Sequence, residues 1–403
     1  MKRTLAGIVA AAAVAGAALA QEPGGAGDVR RVAGLLAADA MRGRGAGSAE
    51  LDRARDLVAA ELRSAGLEPG FGAGWIQEFE GDGGVKLANV AGRVPGSSPE
   101  WLVVGAHYDG LGVGAPGTEH EGEVHPGADD NASGVAALVR IARSVAGATD
   151  FRRSLWIVAF SGEELGTLGS RHFVAHPPAD LGGCVAMLNL DTVGRIENGR
   201  LLVLGSGTAE EFRAILQGAN HAFGFDLAWN AAGVGASDHT PFLEKGIPSL
   251  HLFSGAKPEY HRPGDRLELL DFDATAKLAD LVAEVAGYLA ASEERLTFRP
   301  QGLERVTSAP GSSGPRRVSF GSIPDFSRES GGILLSGVMP GSPAEAAGLA
   351  AGDLLVELNG RALDTIHDFQ EALAGHAPGD VVRVRYRRGE EEREAEVTLA
   401  ERR

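Results

Sequence analysis

The sequence predicts an α/β fold, a mostly parallel (mixed) sheet sandwiched by helices, followed by a small β-rich unit. Three observations carry that expectation. Short apolar runs such as Trp101-Leu102-Val103-Val104-Gly105-Ala106 lack polar alternation, as strands buried on both faces do. They alternate with segments whose apolar residues recur at helical spacing, the pattern of strand–helix units. From Thr297 to Pro315 the composition shifts to Pro, Gly and Ser, and short strands follow around two short helical segments.

In order, helices are expected over 28–40 and 49–65, the second capped by Ser48 and stopped at Gly66. The strand at 101–106 leads into a Gly/Pro-rich loop, 111–127, carrying His120 and His125, then a helix over 134–146. Leu155 to Phe160 is a strand, Glu164 to His176 a helix closed by Pro177-Pro178, and Cys184 to Leu190 and Leu201 to Leu204 are strands. A helix over 209–222, a strand from Pro248 to Phe253 and a long helix over 271–291 complete the unit, bounded as 28–295. Residues 296–316 read as a linker and 317–403 as the β-rich unit, with strands at Ile333–Leu335, Leu354–Leu358, Val381–Tyr386 and Ala395–Leu399.

A chain of 403 residues has room for a large domain and a smaller one. Its net charge of -16, with no Lys/Arg block outside the extreme N-terminus, argues against nucleic acid and anionic membranes as partners. Residues 1–20 read as a signal peptide: Lys2 and Arg3, an apolar run from Leu5 to Leu19, and Ala18-Leu19-Ala20 as a cleavage site. The expectation is an exported protein, periplasmic or secreted, with no stable membrane anchor after cleavage. Cys184, the single cysteine, excludes an intrachain disulfide, and its apolar neighbours suit a buried, inert thiol.

Four of the predicted strands end in a group that can bind metal or move a proton. They lead into His107, Glu163-Glu164, Asp191 and, through a short loop, His261; Gly127-Ala128-Asp129-Asp130-Asn131-Ala132-Ser133-Gly134 precedes the helix over 134–146. In open α/β sheets the functional crevice lies outside the carboxyl ends of the strands, so these distant residues can converge. Three carboxylates and two histidines without a thiolate suit zinc, with manganese or cobalt tolerated. Five donors exceed what one tetrahedral ion with an open position needs, and fit two ions sharing a carboxylate. Singly each has a plain structural reading: a core histidine, a solvated turn, or first-turn acids favoured by the helix dipole. Together, at four strand ends, they point to a site.

At these motifs the chain resembles the co-catalytic dizinc aminopeptidases, whose relatives include glutamate carboxypeptidases and glutaminyl cyclases. The resemblance covers roughly residues 30–292 and rests on His107-Tyr108-Asp109, Gly127–Gly134, Ser161-Gly162-Glu163-Glu164-Leu165-Gly166, Asn189-Leu190-Asp191, Ser237-Asp238-His239 and Tyr260-His261-Arg262-Pro263-Gly264-Asp265. It implies two zinc ions per chain, with Asp129 bridging, His107 and Asp191 on one ion, and Glu164 and His261 on the other. It further implies Glu163 as general base, Asp109 orienting His107, and a cis peptide between Asp129 and Asp130. Of three competing histidines, His251 reads as core, His239 as wall or substrate contact, and His261 as the ligand; His120 and His125 read as solvated lid residues. The implied activity is removal of N-terminal residues from peptides. The alternatives are a carboxypeptidase or dipeptidase, a glutaminyl cyclase, or a catalytically dead peptide-binding protein.

Residues 318–402 resemble a PDZ domain through Val338-Met339-Pro340-Gly341-Ser342-Pro343-Ala344-Glu345-Ala346-Ala347-Gly348-Leu349 and Gly352-Asp353-Leu354-Leu355-Val356-Glu357-Leu358-Asn359-Gly360. That implies capture of a peptide C-terminus by strand addition. The carboxylate loop is expected near Phe320–Phe326, where Ser319-Phe320-Gly321-Ser322-Ile323-Pro324 departs from the usual Gly-apolar-Gly-Phe pattern. A packing or assembly module without a peptide ligand is the alternative.

Overall fold

The computed structural model describes residues 25–401 apart from 117, 119, 233–236, 301–317, 327 and 329. The expected signal peptide and most of the expected linker lie outside the described residues. The larger unit opens with helices α1 (Ala26–Leu36) and α2 (Ala49–Ser64), and Ser48 caps α2 by accepting from the Leu51 N–H. Its strands are β1 (Glu68–Pro69), β2 (Ile76–Glu80), β3 (Lys86–Val94), β4 (Trp101–His107), β5 (Gly112–Val113), β6 (Val124–His125), β7 (Ser154–Phe160), β8 (Cys184–Leu190), β9 (Arg200–Leu204), β10 (Asp226–Asn230) and β11 (Ser249–Phe253). Between and after them run α3 (Gly134–Val145), α4 (Leu168–Ala175), α5 (Phe212–Phe223), α6 (Thr240–Glu244) and α7 (Phe272–Ala291).

Nine strands form the main sheet in the order β1-β3-β7-β4-β8-β11-β9-β10, with β2 also on β3. The four central strands β7, β4, β8 and β11 are parallel. Strands β1 to β3 add an antiparallel margin on one side, and β9 joins β11 antiparallel on the other. The sheet is therefore mixed. The margin strands escape a reading of apolar runs because β3 (Lys-Leu-Ala-Asn-Val-Ala-Gly-Arg-Val) carries polar residues inside it. Its buried Asn89 is satisfied by donating to the Gly169 carbonyl at 2.8 Å and to Gln77 at 3.0 Å.

Alternate residues of the central strands feed two cores. Leu102, Val104 and Ala106 of β4, with Leu155, Ile157 and Ala159 of β7, pack on Val29, Leu62, Leu138 and Leu281 of α1, α2, α3 and α7. Trp101, Val103, Trp156, Val158 and Phe160 point the other way, onto Phe173 of α4 and Phe242 of α6. With every residue of β4 and β7 buried, truncating one such side chain to Ala is expected to cost about 2–5 kcal/mol. The rigid sheet fixes the ends of its strands, and those ends carry the chemistry.

The helix expected from Glu164 begins four residues later, at Leu168. Gly162, Gly166 and Thr167 all have positive φ (75°, 102° and 59°), so the chain turns sharply before helix can form. Glu163 and Glu164 sit in that turn, which removes the helix-dipole reading of the pair.

The β-rich unit has its own core, built on Val318, Phe320, Leu335, Leu355, Phe369, Val384 and Val397. Strands β12 (Val318–Ser319), β13 (Ser322–Pro324), β14 (Ile333–Val338), β15 (Asp353–Leu358), β16 (Arg361–Ala362), β17 (Val381–Arg388), β18 (Glu391–Thr398) and β19 (Ala400–Glu401) pair antiparallel around α8 (Pro343–Ala346) and α9 (Ile366–Ala374). Asn230 donates to the Phe326 carbonyl at 2.7 Å, Phe253 meets Phe326 edge-on at 5.8 Å, and Arg262 donates to the Pro340 carbonyl at 2.6 Å. These contacts place the second unit beside the end of β11. Among the described residues no helix is long and apolar enough to cross a membrane.

Candidate metal centre

His107 is the last residue of β4, and the run that makes the strand delivers its imidazole to the sheet's carboxyl edge. Asp191 follows β8 on the neighbouring parallel strand, and its carboxylate lies 3.3 Å from Nε2 of His107. Asp130 closes this half: its Oδ1 is also 3.3 Å from that Nε2. Its other oxygen lies 3.1 Å from Nε2 of His261, which in turn is 3.4 Å from Glu164. Two donor sets therefore share one carboxylate, His107–Asp130–Asp191 and Asp130–Glu164–His261, with the atoms of each set within 4.8 Å of one another.

The turn Ala128–Ser133 aims that shared group. At Asp130 (φ -108°, ψ 93°) and Asn131 the backbone leaves helical values, and the Asp130–Asn131 peptide is cis. Asn131 anchors the turn by donating to the Leu190 carbonyl at 2.9 Å and accepting from the N–H groups of Gly134 and Thr192. The Asp265 carboxylate accepts from the N–H groups of Asp129 and Asp130 at 2.9 and 3.0 Å. Gly127 has φ +59°, and a Cβ there would lie 2.3 Å from the Asp130 carbonyl oxygen, so only glycine allows this approach.

The expected bridge, Asp129, is not the residue between the histidines. Its Oδ1 accepts from the Gly194 N–H at 2.7 Å and faces the Ser133 hydroxyl at 3.3 Å, tying the turn to the loop after β8. Asp130 takes the shared place, and the cis peptide follows it rather than preceding it. Asp109 lies 3.7 Å from Nδ1 of His107, and its two oxygens accept the N–H groups of Glu163 and Glu164 at 3.2 and 3.3 Å. It thus sets the turn that carries the two glutamates as well as facing the imidazole.

Of the three competing histidines, His261 is the one placed against Asp130 and Glu164, with its backbone in the left-handed region at φ 59°. His239 and His251 stack on each other 4.8 Å apart, and His251 contacts Asn189 inside the sheet. Burial lowers the His251 imidazole to about 4, so it stays neutral in the core. His125, expected in solvent, is buried and lines the cleft with Leu111, Gly127 and Arg262, because β5 and β6 fold its loop over the site. Tyr260 was not singled out from the sequence. Its ring stacks on His261 at 3.9 Å, and burial, with Asp130, Asp191, Glu164 and Glu163 nearby, holds its hydroxyl well above the usual phenol range.

The charges fit a cation. Burial alone would lower the His107 imidazole, yet Asp191, Asp109 and Asp130 raise it well above its ordinary value. His261 likewise rises to about 9 against the effect of burial, through Glu164 and Asp130. Glu163 is pushed well above the carboxylate range by burial, and Glu164 to about 8 for the same reason. Two buried glutamates are thus driven towards neutrality, while the facing imidazoles hold Asp130 and Asp191 below the carboxylate range against burial, and an added cation would relieve this crowding of acids. Nitrogen and oxygen donors without sulfur suit zinc, with manganese or cobalt tolerated.

Residues 89–286 match peptidase family M28, and residues 324–399 match the PDZ domain. The chain thus matches an M28 peptidase domain followed by a PDZ domain. Aminopeptidase YwaD of Bacillus subtilis is 31% identical over 221 residues, covering 52% of this chain and 45% of that protein. Leupeptin-inactivating enzyme 1 of Streptomyces exfoliatus is 31% identical over 228 residues, covering 55% and 47%. The chain spans about half the length of the curated relatives it matches. Among solved structures the M28 domain shares its fold with BSAP, a zinc aminopeptidase from B. subtilis, at TM-score 0.54 and 20% identity, covering 68% of this chain and 97% of that one. The glutaminyl cyclase of Porphyromonas gingivalis gives TM-score 0.55 and 20% identity, covering 64% and 96%.

In the PDZ domain, Phe320 is buried and packs edge-on against Phe369 of α9 at 5.1 Å. The carbonyls of Phe320 and Gly321 accept from Ala344 and Met339. Strand β13 is an edge strand, and Pro324 within it offers no N–H for an added peptide.

Proposed function

We propose that the chain is an exported zinc-dependent aminopeptidase that holds two zinc ions and hydrolyses N-terminal residues from peptides. The observation that carries this reading is Asp130, whose two oxygens face the two imidazoles so that each donor set has its own histidine and its own second carboxylate. His107 and Asp191 would hold one ion, Glu164 and His261 the other, and Asp130 both. Zinc, when bound, polarises a carbonyl and makes water a nucleophile near neutral pH.

The protein's own groups do the rest. Glu163 lies beside the donor sets without belonging to either, a position from which a carboxylate can take a proton from the attacking water and return it to the departing amine. The Tyr260 hydroxyl keeps its proton among four carboxylates, so it can donate to an oxygen on which negative charge develops. Asp109 orients His107 and the glutamate turn together. A free substrate amine suits so acidic a cleft. Export is supported by Lys2, Arg3, the apolar run Leu5 to Leu19 and Ala18-Leu19-Ala20. The PDZ domain supports a peptide partner.

Hydrolysis of a panel of aminoacyl-anilides, alongside metal content per chain, tests the proposal. Cleavage of free-amine substrates, inertness towards N-blocked peptides and two zinc ions are expected. Preference for blocked or C-terminal substrates would replace it with a carboxypeptidase or dipeptidase. The likeness to a glutaminyl cyclase favours a second reading, identified by cyclisation of N-terminal glutamine with one zinc per chain.

A further inference from the structure

We propose that Arg44 is a positioning residue for the metal centre, acting through the shape of its hydrogen bonds rather than through its charge. Arg44 is fully buried. Its Nε donates to the Tyr108 carbonyl at 2.9 Å, Nη1 to those of Leu36 and Pro126 at 2.7 and 2.8 Å, and Nη2 to that of Gly127 at 2.9 Å. Tyr108 sits between His107 and Asp109, and Pro126-Gly127 leads into the turn that carries Asp130. One planar guanidinium therefore joins the two segments that supply the shared carboxylate and the first imidazole, and fastens both to the end of α1. No other side chain described above touches both segments in this way.

The surrounding backbone is shaped to deliver it. Arg42, Gly43 and Arg44 all have positive φ (43°, 70° and 52°), a run that two arginines adopt only where their surroundings over-determine it. A Cβ on Gly43 would lie 2.3 Å from the His125 carbonyl oxygen, so the segment lies flush against the loop over the cleft. The Arg44 carbonyl accepts from the Gly110 N–H at 3.2 Å, adding a main-chain tie next to Asp109. The turn before Asp130 is thus gripped by its carbonyls from Arg44 and by its amides from Asp265.

Arg44 places its charge near Asp109, Asp265, Asp130 and Glu164, as an ammonium could also do. Its value lies in a rigid fork of donors that reaches several carbonyls at once, which an ammonium cannot copy. The inference rests on the metal-centre reading, and the wild-type zinc content tests that reading separately. Arg44→Lys and Arg44→Met are made in the full-length chain. Folding is checked by circular dichroism, zinc affinity by competition with a chromogenic chelator, and melting with and without zinc. Both variants are expected to bind zinc about tenfold more weakly or worse, with a smaller zinc-induced rise in Tm. If Arg44→Lys binds zinc as tightly as wild type, the fork is not what matters and the proposal falls, whether or not Arg44→Met is weakened. It falls equally if zinc-free and zinc-loaded melting drop by the same amount in both variants. Variants that fail to reach the native spectrum even with excess zinc assign Arg44 to general folding and overturn it too. A wild-type chain that retains no zinc overturns both the proposal and the reading beneath it.

Discussion

Replacing Asp130 with asparagine probes the centre at its shared point. In the wild type one carboxylate oxygen lies 3.3 Å from Nε2 of His107 and the other 3.1 Å from Nε2 of His261. Asparagine keeps one acceptor oxygen and replaces the other with an NH2 donor, so one ion keeps three protein donors and the other falls to two. Structural zinc sites of four ligands are worth about 10–16 kcal/mol, or about 2.5–4 kcal/mol per donor. At about 1.36 kcal/mol per decade that is roughly a 10²- to 10³-fold loss of affinity for one ion. Dialysis against a chelator buffer that leaves the wild type with two zinc ions should leave Asp130→Asn with one. Hydrolysis of an aminoacyl-anilide should fall by about the same 10²- to 10³-fold. Asp129→Asn is the control. Its retained Oδ1 still accepts from Gly194, so zinc content should not change and stability should move by no more than about 1 kcal/mol. Loss of an ion in Asp129→Asn with both kept in Asp130→Asn would refute the geometry.

Glu163→Gln keeps the side chain's shape and removes its proton transfer, so kcat should drop by about 10²- to 10⁴-fold while zinc content is unchanged; undiminished chelator-sensitive hydrolysis would assign the base elsewhere. Away from the cleft, Arg295 and the buried Arg153 hold the Glu100 carboxyl below its usual range, at 2.5 and 2.8 Å. Because the folded value is depressed, this stabilisation is whole above the unfolded carboxyl value of about 4.3 and is lost as pH falls through the folded one. The Tm gap between wild type and Glu100→Gln should therefore be present at pH 6 and close towards pH 3; a gap constant across that range would contradict the pairing. Phe326→Ala removes the ring packed on Phe253, an aromatic pair worth about 0.5–1.5 kcal/mol. Tryptic cleavage between the two cores should quicken by about two- to tenfold, and an unchanged rate would mean the contact does not hold the domains together.

What could be read in the sequence divides along a physical line. Strands β4, β7 and β8 are legible because both their faces are buried and nearly every residue is apolar, while β3 hides because Asn89 and Arg93 find partners a linear reading does not bring near. The donor types are legible too, since parallel strands end on one edge and His107, Glu164 and Asp191 stand at those ends. Which of two adjacent aspartates is shared is not legible. They are the same residue type, and the choice is made by the dihedral angles of the Ala128–Ser133 turn, which Asn131, Gly127 and Asp265 enforce from three directions.

The same reason hides Arg44. A ligand pairs with a group of complementary type, and such pairs leave a trace in the residues present at both ends. A side chain that donates to main-chain carbonyls at Leu36, Tyr108, Pro126 and Gly127 leaves none, because every residue has a carbonyl. What marks it is one conjunction: an arginine, in a segment of positive φ, with no access to water. Full burial of a guanidinium is costly unless each donor is matched, so a fan of matched carbonyls around it means that the segments bearing those carbonyls are held to one another. Those segments carry His107, Asp109 and Asp130, so the geometry of the centre is set from behind by a residue that offers no donor atom to a metal.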